Sequence, residues 1–150
     1  MNAAALKKAW LSAAIAAGGI IMAIVFYAFA AEALRMMGYK PPLTPPAAYF
    51  LKYAFYLIGL SAIAVLKIVA AKLEVKKASP EETVKALTIM AIVRAAVCEV
   101  PAISGFLLFI LTGYTLDFCL LLVFSIGLEI YYFPKLSQWE ERIRGDFGQL

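Results

Sequence analysis

Four long apolar blocks, separated only by short charged or proline-rich connectors, limit what this chain can fold into. A helix of about 20 apolar residues is long enough to cross ~30 Å of hydrocarbon. The blocks fall at residues 11–34, 47–72, 84–112 and 118–133. They predict an all-α integral membrane protein: a four-helix bundle of two transmembrane hairpins, forming a single domain over residues 1–150. The chain is 64% hydrophobic, with a mean hydropathy of +0.86, whereas soluble domains are about half apolar. In such a chain the net charge of +4 signals topology and headgroup contact, not nucleic-acid binding.

What the chain lacks removes several functions. Without histidine there is no Ser-His-Asp or Cys-His catalytic pair, no bis-histidine haem site and no ordinary zinc site. Cys98 and Cys119 stand singly in apolar surroundings, outside any CxxC pattern, and read as buried free thiols. No cofactor is expected. No enzymatic role is expected either, because no stretch combines a nucleophile, a base and a set of metal ligands.

Trp10, after Lys7 and Lys8, is placed to anchor the first span at the membrane interface. Gly18 and Gly19 would let another backbone approach that span closely. The lysines, the apolar run and Ala28-Phe29-Ala30 also resemble a signal peptide with its cleavage site, but the segment is read here as a retained span. Pro41, Pro42, Pro45 and Pro46 form a stiff connector. In the second span, Lys52 and Lys67 lie toward opposite ends and are expected to snorkel to headgroups.

The third span has a well-marked start. Ser79 is the N-cap, Pro80 the first helical residue and Glu82 the third member of a capping box. From Pro80 to Thr112 a helix would be roughly 50 Å long, so its first turns should stand in water. Pro101, inside it, should kink the helix or free a carbonyl about one turn earlier. After the fourth span, Ser137 and Glu140 suggest a second capping box, opening a short amphipathic helix over residues 137–147. Its stripe of Leu136, Trp139, Ile143 and Phe147 should lie on the membrane surface, with Lys76 and Lys77 at the same interface. Lys7, Lys8, Lys72, Lys76, Lys77, Lys85, Lys135, Arg142 and Arg144 fall on one side, against Arg35, Lys40 and Lys52 on the other. This places both termini in the cytoplasm of a multi-pass protein of the bacterial inner membrane.

Arg94, Glu99 and Glu129 lie inside the apolar spans, where a charge is costly and defaults to a functional hypothesis. Glu99 lies thirteen residues before Thr112 and Glu129 thirteen after Leu116, so an antiparallel hairpin would put them at one depth, with Arg94 further toward the cytoplasm. Arg94 and Glu99 diverge by about 140° around their helix, which turns Arg94 toward Glu129 or another subunit. Glu99 shares its face with Ala91, Ala95 and Ala102, flanked by Cys98 and Gly105, a surface suited to close helix packing. Either the three charges neutralise one another and fix helix register, or Glu99 is a protonatable site on a proton or ion path.

The stretch from Pro80-Glu81 through Glu99-Val-Pro-Ala102-Ile103-Ser-Gly105 resembles the second half of the rotary ATPase c subunit, the proteolipid. In that family a polar Pro-Glu loop precedes a membrane carboxylate, and the resemblance implies that Glu99 would carry the proton. Arg94 and Glu129 are additions to that pattern. The whole chain is also similar to small uncharacterised bacterial four-span membrane proteins with a Glu-x-Pro-Ala-Ile-x-Gly stretch and a Phe-Pro-Lys…Trp-Glu-Glu tail. The expected role is a structural or accessory subunit of a homo-oligomer or larger membrane complex, with the lipid bilayer and other membrane subunits as partners and no nucleic acid. The competing role is a proton- or ion-translocating unit built on Glu99.

Overall fold

The computed structural model describes residues 3–43, 46–73 and 79–148. Its elements are α1 (Ala3–Met36), α2 (Ala47–Leu73), α3 (Pro80–Thr112), α4 (Thr115–Tyr132) and α5 (Leu136–Phe147). The first four are long and apolar enough to cross a membrane. Lys76 and Lys77 lie outside the described residues.

The ends of α3 follow from its sequence. Ser79 is extended, and its hydroxyl oxygen accepts the Glu82 N–H at 3.3 Å. A cap of this kind is worth about 1 kcal/mol. At the other end Gly113 adopts φ +74 and donates its N–H to the Phe109 carbonyl at 2.8 Å, a left-handed cap that favours glycine. A side chain there would also meet Pro41, whose Cγ lies 3.1 Å from where a Cβ would sit. The Leu43 N–H donates to the Leu111 carbonyl. The start of the proline-rich connector is therefore fastened to the α3–α4 turn.

That turn is shorter than expected. Only Gly113 and Tyr114 separate the two helices, so α4 begins at Thr115 and takes Asp117 into its first turn. α5 begins at Leu136 after Lys135 with no side-chain cap, so Ser137 lies inside the helix and the second capping box does not form.

α3 is the hub. It packs against α1, α2 and α4, while among the described residues α1 and α2 do not approach each other. The expected first hairpin is thus replaced by two helices that each lean on α3. The cause is the distribution of small side chains: Ala91, Ala95, Ala102 and Gly105 of α3 are all buried, as are Ala13, Ala17 and Ala31 on the facing side of α1. A Cβ added to Gly105 would lie 3.0 Å from Leu121 Cβ and 3.2 Å from the Phe118 carbonyl oxygen. One added to Gly59 would lie 3.2 Å from Leu121 Cδ2 and 3.4 Å from Pro101 Cα. α2, α3 and α4 therefore meet around Leu121.

Gly18 and Gly19 have no such role among the described residues, where nothing from another element lies within 4 Å of a Cβ placed on either. Pro101 is buried inside a helix that runs unbroken through it. The Ser125 hydroxyl donates to the carbonyl of Cys98, one turn before the proline. A hydroxyl from a neighbouring helix is a usual way to satisfy backbone near an intramembrane proline.

At the end of the molecule that holds the start of α1, a second core gathers Leu6, Ala13, Val84, Ala91, Trp139 and Ile143. Trp10 packs against this cluster, and its indole N–H donates to the Pro134 carbonyl at 3.0 Å. Trp139 and Ile143, expected to lie on the membrane surface, are buried in this cluster, while Trp10 is half-buried against it. The apolar stripe of α5 faces protein, because α1 and α3 extend far enough beyond the short α4 to receive it.

Candidate functional site

Two polar sites lie on the buried side of α4, where Asp117, Leu121, Ser125 and Glu129 recur at intervals of four residues, and all four are buried. Asp117 and Glu129 mark the two ends, and Leu121 stands between them.

The deeper site joins three helices. Glu99 of α3 accepts a hydrogen bond from the Tyr27 hydroxyl of α1 at 2.6 Å. Tyr27 is positioned by stacking on Phe106, one to two turns along α3, with ring centroids 5.4 Å apart. Glu129 of α4 is 1% exposed, and its Oε1 has no hydrogen-bond partner among the described residues. The Arg94 guanidinium lies over the Tyr132 ring, 5.5 Å from its centroid.

The equal depth expected for the two glutamates is corrected by the helix register. Gly105 sits against Phe118, and Cys98 is bonded by Ser125. Continuing that antiparallel register by one turn brings Glu129 level with Arg94, leaving Glu99 about 7 Å nearer the turn. Counting outward from the turn failed because the helices pack at the offset set by Gly105, not symmetrically about Gly113 and Tyr114. In this register Arg94 stands at the level of Glu129, and its guanidinium lies over the Tyr132 ring.

No protein-family model, curated protein or solved structure matches this chain. What the site can do is therefore read from its own chemistry. Among the described residues no group of three or more His, Cys, Asp or Glu is arranged to hold a metal ion. The deeper site instead offers two carboxylates, a guanidinium and a phenol, groups suited to holding a proton or balancing charge.

The second site lies at the turn end and combines residues the sequence did not single out as a group. The Lys52 ammonium is 2.8 Å from Asp117 Oδ1, and the Tyr56 hydroxyl donates to the same oxygen at 2.9 Å. Lys52 also lies over the Tyr114 ring, 5.8 Å from its centroid. The expected snorkelling of Lys52 is thus replaced by an ion pair joining α2 to α4, its side chains 31% and 13% exposed. Asp117 was the one legible clue, as a carboxylate on the face that later carries Ser125 and Glu129. Tyr27 gave no signal, since its partner depends on how α1 leans on α3. Cys98 is buried as expected, but Cys119 is exposed on the outer face of α4.

A double-mutant cycle with Lys52→Met and Asp117→Asn is expected to give a coupling of about 1–2 kcal/mol, between the values typical of exposed and buried pairs. Unfolding of the four proteins in mixed micelles measures it, and additive effects would show that the pair does not hold α2 to α4.

Proposed function

We propose that this chain is a small integral membrane protein serving as a structural or accessory subunit of a homo-oligomer or larger membrane complex, without enzymatic activity of its own. The observation that carries this reading is the outer face of α1. Among the described residues nothing from another element lies within 4 Å of a Cβ placed on Gly18 or Gly19, yet glycine inside a helix costs about 1 kcal/mol relative to alanine. Close approach of a helix from another subunit would offset that cost. The exposed stripe of Ile89, Ile92, Ile103 and Leu107 on α3 gives partners a second apolar surface. In this reading the protein resides in the bacterial inner membrane with both termini cytoplasmic. α5 then lies at the cytoplasmic boundary, with Arg142 and Arg144 exposed near the exposed start of α1 at Lys7 and Lys8.

Native mass spectrometry from lipid nanodiscs tests the proposal. The wild-type chain is expected to be an oligomer or to retain a co-purifying subunit, and Gly18→Leu with Gly19→Leu to weaken association about tenfold, equivalent to ~1.4 kcal/mol. A monodisperse wild-type monomer in native-like lipid sinks the reading.

The Tyr27–Glu99 hydrogen bond favours a second reading, a proton- or ion-translocating unit using Glu99. Weighing against it, Leu121 is 2% exposed and lies in close contact with Gly59 and Gly105, forming an apolar layer between Asp117 and Glu129. Translocation predicts pH-dependent labelling of Glu99 by dicyclohexylcarbodiimide, abolished in Glu99→Gln; no labelling at any pH removes it.

A further inference from the structure

α2 and α4 both start at the turn end of the molecule, and each presents one stripe to the other. On α2 the stripe carries Lys52, Tyr56, Ile63 and Lys67, at spacings of four, seven and four residues. On α4 it carries Asp117, Phe124, Leu128 and Tyr131, at spacings of seven, four and three. The stripes meet at the turn end, where Lys52 and Tyr56 both bind Asp117 and Gly59 lies against Leu121. Their other ends are bare. Ile63, Lys67 and Tyr131 are exposed, and among the described residues Lys67 has no ion pair or hydrogen bond. Lys67 lies eight residues beyond Gly59 and Tyr131 ten beyond Leu121. The two therefore stand at similar depth, about 12–15 Å from the point where the helices touch.

We infer that the open end of this α2–α4 groove binds the phosphate of an anionic phospholipid, with Lys67 as the cation that holds it. A charge in a membrane-length helix is costly unless it is paired or reaches the headgroups. Lys67 has no counter-charge to meet inside the chain. α2 contains no acidic residue. Of the two acids in α4, Asp117 is held by Lys52 at the far end, and Glu129 is buried one turn beyond Ser125, which binds α3. Lys67 stands six residues before Leu73, about 9 Å from the end of α2, and its extended stem shortens that distance to the headgroups. Lys72 near the end of α2 and Lys135 just after α4 are exposed as well, so the boundary there is basic. A cationic groove between helices, open to lipid at this boundary, fits a negatively charged headgroup. Ile63, Phe124 and Leu128 offer its chains apolar walls. The inference holds whether or not the chain is an accessory subunit.

Native mass spectrometry of the full chain tests it, with phosphatidylglycerol and phosphatidylcholine of matched acyl chains titrated separately into detergent micelles. The wild type is expected to retain one phosphatidylglycerol more tightly than phosphatidylcholine. Lys67→Gln should weaken that binding about fivefold, the share of one lysine at a headgroup, and Lys67→Arg should keep it. Lys67 is exposed, so neither variant removes a packing contact. Lys85→Gln should match the wild type, because Lys85 lies on another face, the α3 stripe of Ile89 and Ile92. Equal retention of the two lipids by the wild type overturns the inference. Equal weakening by Lys67→Gln and Lys85→Gln also overturns it, since the attraction would then belong to a diffuse basic end. An acidic membrane subunit lost from Lys67→Gln while lipid binding stays unchanged would assign Lys67 to a partner's carboxylate and overturn it too.

Discussion

Trp139→Ala is expected to destabilise the protein by about 3–5 kcal/mol, the usual cost of removing a large buried aromatic, and to detach α5 from the rest of the molecule. Trp139 and Ile143 are 5% and 1% exposed, and they fill the space between the start of α1 and the first turns of α3 against Leu6 and Val84. α5 is short, 12 residues, and helices of this length are marginal on their own in water. Without the indole it has little reason to remain folded or docked. Limited trypsin digestion reads the outcome: cleavage after Arg142 and Arg144 should accelerate while the four long helices stay protected. Glu141→Ala, on the exposed side of α5, should digest at the wild-type rate. Unchanged protection in Trp139→Ala would mean that α5 is held by something other than this cluster.

Gly105→Val should push α4 away from α3, at a cost of about 1–3 kcal/mol or more, since overpacking is worst where backbone cannot yield. The added Cβ would meet Leu121 Cβ at 3.0 Å and the Phe118 carbonyl at 3.2 Å, and the second is backbone. The consequence extends to the deeper site. Separation of α4 would break the Ser125–Cys98 hydrogen bond and open the space around Glu129. With exposed Cys119 replaced by serine, labelling of Cys98 by a membrane-permeant maleimide should rise from near zero to readily measurable. Gly18→Val supplies the contrast, because its Cβ meets nothing within the chain and the monomer should unfold as the wild type does. Equal effects of the two substitutions would contradict the α3–α4 contact.

Helix content and the four membrane-length elements were legible in the sequence because they depend on local quantities. Run length sets whether a helix can cross hydrocarbon, and the start of α3 was written in Ser79, Pro80 and Glu82, the serine capping as its position implied. The burial of Ala91, Ala95, Ala102 and Gly105 was readable as well, because small residues at helical spacing mark a contact face whatever the partner. Arg94, Glu99 and Glu129 stood out through the cost of charge in an apolar run.

Partnership was decided by the tertiary structure. A membrane helix is apolar all round, so periodicity does not say which neighbour covers which side. The choice of α3 as hub, the separation of α1 from α2, and the Tyr27–Glu99 bond all follow from packing that no single segment encodes. Lys52 met Asp117 for the same reason. The depth of Glu129 was settled by the offset at which Gly105 admits Phe118 and Leu121. The sequence by itself determined which residues carry charge into the membrane-length helices. Only the fold decided which of those charges face each other, because close packing of small residues sets helix register, and register sets the distance between charges.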